Sequence, residues 1–229
     1  MGTFDFSALA TSLPYLFADG MVLTLSLTVL AAVMGLLLGI VLALMRLSRL
    51  SLLSVPAGLY VNLMRSVPLL LVIFWFYFLV PYIGAWIVGS PRPIQVGAFR
   101  SAVVSFTLFE AAYFCEIMRA GIQSISRSQI SAGMALGLTY RQTMVSVVLP
   151  QALRNMTPSL LTRVIILFQD TSLVYVLSLT DFLGAASKIG QRDGRLTEMY
   201  LFVAAVYLVV CFTASRLVKV MENRMHVVR

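Results

Sequence analysis

Arg163 and Asp170 are the residues whose types and spacing point most directly to chemistry. Both sit in an apolar run, seven positions apart. At 3.6 residues per turn that is nearly two turns, so the two side chains share one helix face, about 10 Å apart along the axis. An ionisable group inside such a run is costly to desolvate and marks a functional position by default. Asp170 could take an α-ammonium group, and Arg163 a carboxylate through its planar fork of donors. Gln169, Thr171 and Ser172 add polar groups beside the anion. Together the five form a candidate grip on a zwitterion. A substrate with a second carboxylate suits the fixed positive charge best, which favours acidic amino acids. Structural pairings stay open: Arg163 could join Asp170, or Glu110 or Glu116 of the preceding apolar run, or extend its stem towards the water interface. Glu116 has further partners of its own in Arg119 and Arg65.

The elements that must position these groups are membrane helices. Hydrophobic residues make up 60% of the 229 and charged residues only 11%, against roughly 25% charged in a soluble domain. A span needs about 20 apolar residues, so the chain has room for five. They are expected at 21–45, from about 57 or 67 to 88, at 98–118, 156–179 and 198–218. The fold class is thus an all-α membrane protein, with one transmembrane domain over residues 1–229. The start of the second span is blurred by Pro56, Gly58, Asn62, Arg65 and Pro68. Residues 1–20 lack a basic leader region and carry Asp5 and Asp19; they read as a short amphipathic segment at the interface rather than a cleaved signal peptide. Residues 89–97 form a turn-rich loop, 180–197 a polar loop with room for a short amphipathic helix, and 219–229 a basic tail with His226 as a solvated residue. Gly35 and Gly39 form a G-x-x-x-G pair that allows close helix approach, or are simply tolerated in a lipid-facing helix. Cys115 and Cys211 lie in apolar runs as packing residues and imply no disulfide framework. The aromatic run Phe74 to Phe78 reads as packing against lipid.

The net charge is +8, but the basic residues are spread along loop ends, which argues against nucleic acid and reports topology instead. Arg46, Arg49, Arg65, Arg119, Arg127, Arg141, Arg154, Arg216, Lys219, Arg224 and Arg229 fall on one side; Arg92, Arg100, Lys188, Arg192 and Arg195 fall on the other. By the positive-inside rule, the 119–155 loop and the C-terminus are cytoplasmic and the N-terminus is outside.

Residues 129–151, Q-I-S-A-G-M-A-L-G-L-T-Y-R-Q-T-M-V-S-V-V-L-P-Q, hold a second candidate site. The sequence predicts a short helix over 131–137 ended by Gly137, then another over 140–148 stopped by Pro150. Such a segment could be a solvated connector, or a docking element whose movement would pull the flanking spans.

The spacing resembles the E-A-A motif of ABC-importer permeases: E-A-A, three residues, G, nine residues, I-x-L-P. Ala132, Gly137, Leu149 and Pro150 match, Val147 stands for the isoleucine, Ser131 replaces the glutamate and Gly133 the second alanine. The likeness covers nearly the whole chain. Gly20 with Thr24-Leu25, Arg46-Leu47-Ser48-Arg49, and Tyr60, Arg65, Pro68 and Leu69-Leu70 match segments of the polar amino-acid permeases. So do Ala112-Tyr113 with Glu116, Arg119, Gly121, Ile122 and Ser124-Ile125, and Asp170-Thr171-Ser172-Leu173. Within that family, F-Q-D-T-S-L-V-Y-V-L-S-L-T-D-F and G-Q-R-D-G are most similar to glutamate/aspartate permeases.

The resemblance implies a multi-pass inner-membrane subunit of an ATP-driven importer working by alternating access. Ser131, Ala132, Gly133, Ala135, Gly137, Leu149 and Pro150 would dock a separate ATPase dimer. A second permease chain, homologous or identical, and an external amino-acid-binding protein complete the implied partners. The chain itself would carry no cofactor, with ATP and Mg bound by the ATPase. No G-x-x-x-x-G-K-[ST] pattern occurs, so the chain is not its own ATPase by that route. One His, far from any acid pair in the spans, speaks against an intramembrane enzyme. No internal repeat supports an inverted-repeat carrier. A channel or secondary carrier would not need the spacing from 137 to 150. Glutamine, arginine or histidine remain alternative substrates.

Overall fold

A computed structural model describes residues 6–225, all of whose regular structure is helical. Residues 1–5, which open the expected interfacial segment, and residues 226–229, which include His226, lie outside that range. Helix α1 runs through Phe6–Tyr15, a wider π turn at Leu16–Met21, and Val22–Leu47. It is followed by α2 (Ser51–Ser66), α3 (Leu69–Ile87), α4 (Ala98–Gln123), α5 (Arg127–Ala135), α6 (Tyr140–Leu177), α7 (Phe182–Arg192) and α8 (Leu196–Met225). Among the described residues, five of these helices are long and apolar enough to cross a membrane: α1, α3, α4, α6 and α8.

Three boundaries differ from the sequence reading. The first apolar helix extends from Ala10 to Leu47, so described residues before 21 are not a separate interfacial piece. Leu16 and Phe182 are fully buried against each other's neighbours in one cluster with Ala185 and Met199, and that tertiary packing draws the N-terminal segment into the bundle. The second span begins at Leu69, not near 57. Pro68 forces Val67 into extended backbone (φ −108°, ψ 138°), and residues 51–66 become the separate helix α2. Finally, Pro150 does not stop a helix at 148. A π turn at Met144–Val148 precedes it, and α6 continues through Leu149–Asp170 into a tighter 3₁₀ turn at Thr171–Leu177. The widened turn accommodates a ring that would clash with a regular α-turn.

Helix α4 is the centre of the bundle. Its Phe106 is buried with Leu27, Ile73 and Leu167; one end further along, Phe114 and Cys115 are buried with Val61 and Met156. The G-x-x-x-G pair of α1 faces α4. A Cβ on Gly35 would lie 3.0 Å from the Glu110 Cβ, and one on Gly39 would lie 2.8 Å from the Phe114 Cβ. Only glycine permits that approach. By contrast, Leu201, Leu208, Val209, Phe212 and Leu217 of α8 are all exposed, as expected of a face whose solvent is lipid. The polar loop after α6 holds α7 as the expected short helix.

Candidate functional site

At one end of the bundle, α5 and the start of α6 form a tight helical hairpin. Helix α5 closes with a Schellman motif: the Gly137 N–H donates to the Met134 carbonyl (3.0 Å) and the Leu138 N–H to the Gly133 carbonyl (3.2 Å). Gly137 has φ +86°, a left-handed backbone that glycine adopts without strain. Two residues later Thr139 starts α6 with a capping box. Its Oγ1 accepts from the Gln142 N–H (3.3 Å), while its own N–H donates to the Gln142 Oε1 (2.9 Å). Gly133 is buried where α5 crosses α6, and a Cβ there would lie 2.7 Å from the Thr143 Cγ2. The glycine standing for the motif's second alanine is therefore a packing requirement. Ser131, Ala132, Ala135 and Pro150 are exposed. So are the apolar side chains of Met134, Leu136, Tyr140, Val145 and Leu149, Leu136 to 84%.

From that end a line of charge runs up α4. Glu110, Tyr113, Glu116 and Arg119 recur at three-residue steps, so each neighbours the next along a ridge that winds around the helix. Glu116 receives hydrogen bonds from Arg46 of α1 and Arg119, and the Arg65 Nη1 of α2 stands 3.8 Å away. Further along, Arg163 of α6 grips Glu110 with both prongs of its guanidinium: Nε to Oε2 at 2.7 Å and Nη2 to Oε1 at 2.6 Å. The same Nη2 is 3.7 Å from Asp170. The Tyr113 ring lies under the Arg163 guanidinium at 3.8 Å and 5.6 Å from that of Arg65. Glu110 is fully buried and Arg163 nearly so. Beside them a cleft of about 360 Å³ opens between α4 and α6, lined by Tyr113, Ile117, Ser159, Thr162, Arg163 and, from α8, Glu222.

At the opposite end, Asp181 caps α7. Its carboxylate accepts from the N–H groups of Leu183 and Gly184, both at 3.1 Å, and the Phe182 N–H donates to the Thr24 hydroxyl of α1 at 3.0 Å. Burial pushes the Asp181 carboxyl up to about 6, partly offset by those two amide donors. This clasp ties α7 to α1 next to the close approach of Gly20 and Ala185.

Residues 35–227 match the family described as binding-protein-dependent transport system inner membrane component. The chain belongs to this permease family. It is 52% identical, over 98% of its length and 99% of the relative's, to the glutamate/aspartate import permease protein GltK of Escherichia coli O157:H7. It is 34% identical to the probable amino-acid ABC transporter permease protein YckA of Bacillus subtilis, over 93% of this chain and 90% of that one. The solved structure of an amino acid ABC transporter with histidines superposes with a TM-score of 0.87 at 32% identity, covering 97% of this chain and 100% of that one. The protein is thus a multi-pass inner-membrane permease of a binding-protein-dependent ABC importer. As a permease subunit it is not itself catalytic and carries no cofactor; ATP is handled by a partner ATPase.

Of the residues singled out in the permease's sixth helix, Arg163 and Asp170 come together. Thr171 turns inward: it is buried, and its hydroxyl donates to the Phe168 carbonyl at 2.7 Å. Gln169 is exposed and lies against Cys211 of α8, and Ser172 is half-buried. Neither lines the cleft. Two contributors were given no role in the sequence. Tyr113 stood there only within a family-matching segment, its place beside Arg163 depending on how α4 packs on α6, and Asp181 is signalled by its place directly before the apolar start of α7.

Proposed function

We propose that this permease imports an acidic amino acid, glutamate or aspartate, and that Arg163 and Asp170 hold it part-way across the membrane. The observation that carries the reading is the guanidinium of Arg163 at the wall of a cleft between two spans, reinforced by the full-length likeness to a glutamate/aspartate permease. Arg163 is already paired, so substrate would enter by exchange. Its side-chain carboxylate would displace Glu110 or Asp170 from the guanidinium, and its ammonium would take the carboxylate released. Gln169, Thr171 and Ser172 would act by shaping the helix turn around Asp170 rather than by direct contact.

The hairpin built on Ser131, Ala132, Gly133, Ala135, Gly137, Leu149 and Pro150 would seat in a cleft of the ATPase dimer, with its exposed apolar side chains as the contact. The basic residues at its end of the molecule support a cytoplasmic hairpin and C-terminus and an external N-terminus. A second permease chain, homologous or identical, and an external amino-acid-binding protein would complete the importer. Transport would proceed by alternating access between two states of the bundle.

One observation favours a different substrate. Two carboxylates, Glu110 and Asp170, face one guanidinium, a balance that suits a basic amino acid such as arginine or histidine. Competition separates the two readings. In cells lacking the permease, restoring it should restore uptake of labelled glutamate, and excess aspartate should block that uptake while arginine does not. Arginine outcompeting glutamate would overturn the acidic reading and leave Arg163 as a structural ion pair.

A further inference from the structure

The line of charge on α4 does not end at Glu110, the partner of Arg163. Six residues further along the helix, about 9 Å nearer the hairpin at 1.5 Å per residue, Glu116 faces the guanidiniums of Arg46, Arg65 and Arg119. One carboxylate among three guanidiniums leaves positive charge in excess. Arg46 and Arg119 are committed to Glu116 by hydrogen bonds, and Arg119 also reaches Gln123. Arg65 differs. Its nearest nitrogen stops at 3.8 Å from Glu116, beyond hydrogen-bond reach, and its side chain is 39% exposed, the most open of the three. Its other contact is the Tyr113 ring, which Arg163 also contacts. Tyr113 also lines the cleft. A single aromatic ring therefore contacts both the nearly buried guanidinium at the cleft and an under-compensated one on the hairpin side.

We propose that Arg65 is a second anion station, which takes the carboxylate of the substrate after Arg163 and passes it towards the hairpin end. The inference rests on an acidic amino acid passing Arg163. Its physical basis is a descending grip. Arg163, nearly buried, holds an anion strongly. As the anion leaves, Glu110 and Asp170 reclaim that guanidinium and expel the carboxylate. The next weakly paired positive charge towards the hairpin is Arg65, which reaches the cleft only through its contact with the cleft-lining Tyr113, and there water weakens the hold and permits release. Tyr113, in contact with both guanidiniums, gives the departing anion a path from one to the other.

The test uses proteoliposomes containing the complete importer: this permease, its partner permease, the ATPase and the binding protein. Arg65→Gln should lower the maximal rate of glutamate uptake about fivefold, the loss expected for one partly solvated charge contact made in passage. The KM for glutamate and ATP hydrolysis should persist, so glutamate moved per ATP falls. Arg65→Lys, which keeps the charge, should recover most of the rate. An unchanged rate in Arg65→Gln overturns the proposal. So does a parallel fall of uptake, ATP hydrolysis and assembled complex that Arg65→Lys fails to rescue, because that pattern belongs to a structural tie with Glu116. A defect that tracks the anionic-lipid content of the vesicles would assign the bound anion to a lipid phosphate and equally overturn it. Arg163→Gln in the same assay reads the parent proposal separately: an unchanged glutamate KM there removes the station at Arg163, whatever Arg65 does.

Discussion

Glu110 is the residue on which the centre of the permease depends. It is fully buried, meets both prongs of Arg163, and its Cβ touches the surface left open by Gly35 of α1. Removing one member of a buried pair strands the other, at a cost of about 3–5 kcal/mol. Glu110→Ala should therefore lower the thermal unfolding temperature of the purified complex markedly, since Asp170 at 3.7 Å is a weaker substitute. Glu110→Gln keeps an acceptor for the guanidinium and should cost clearly less. If the alanine variant melts with the unmodified protein, the pair contributes nothing to the bundle. Besides substrate, the sequence offered Arg163 four structural fates, and spacing along one helix could rank only Asp170, since Glu110 is a partner across helices and depends on where α4 lies against α6.

At the scale of elements, the hairpin tests whether an ordered connector is a docking surface. Its two halves are closed by different devices, a left-handed glycine for α5 and a capping box for α6. Gly137→Asp strains the first by about 1 kcal/mol or more and adds a charge beside exposed Leu136. The chain should still insert, but the ATPase should be lost from the affinity-purified complex and ATP-driven uptake should fall with it. Retention of both would reduce the hairpin to a solvated connector. Gly137 was legible as punctuation because caps are written in local sequence. The continuation past Pro150 was not, because the rule that a proline ends a helix has an exception at π turns that no residue pattern here announces. Pro68 obeyed the rule, and α2 separated from α3 there.

The whole molecule sorts its residues by solvent. Apolar runs showed where the five long helices would be, while their ends moved wherever tertiary contacts overrode local character. Leu16 and Gly20 look interfacial in sequence yet are buried beside α7. The orientation inferred from the basic residues can be checked directly, because the two native thiols, Cys115 and Cys211, are both buried and give a low background. A membrane-impermeant maleimide should label Ser128→Cys only in inside-out vesicles and Arg92→Cys only from outside intact spheroplasts. The reverse pattern would invert the topology.

The uninterrupted course of α6 has a mechanical consequence. From Tyr140 at the hairpin to Asp170 beside the cleft the backbone never breaks, a rod of about 45 Å at 1.5 Å per residue. Arg163 sits about 35 Å along it from Tyr140, so a swing of only about 5° pivoting at the hairpin end would carry Arg163 through about 3 Å, more than the 2.6–2.7 Å hydrogen bonds that tie it to Glu110. A tilt that small is enough to unlatch the ion pair, with no intermediate part to slip.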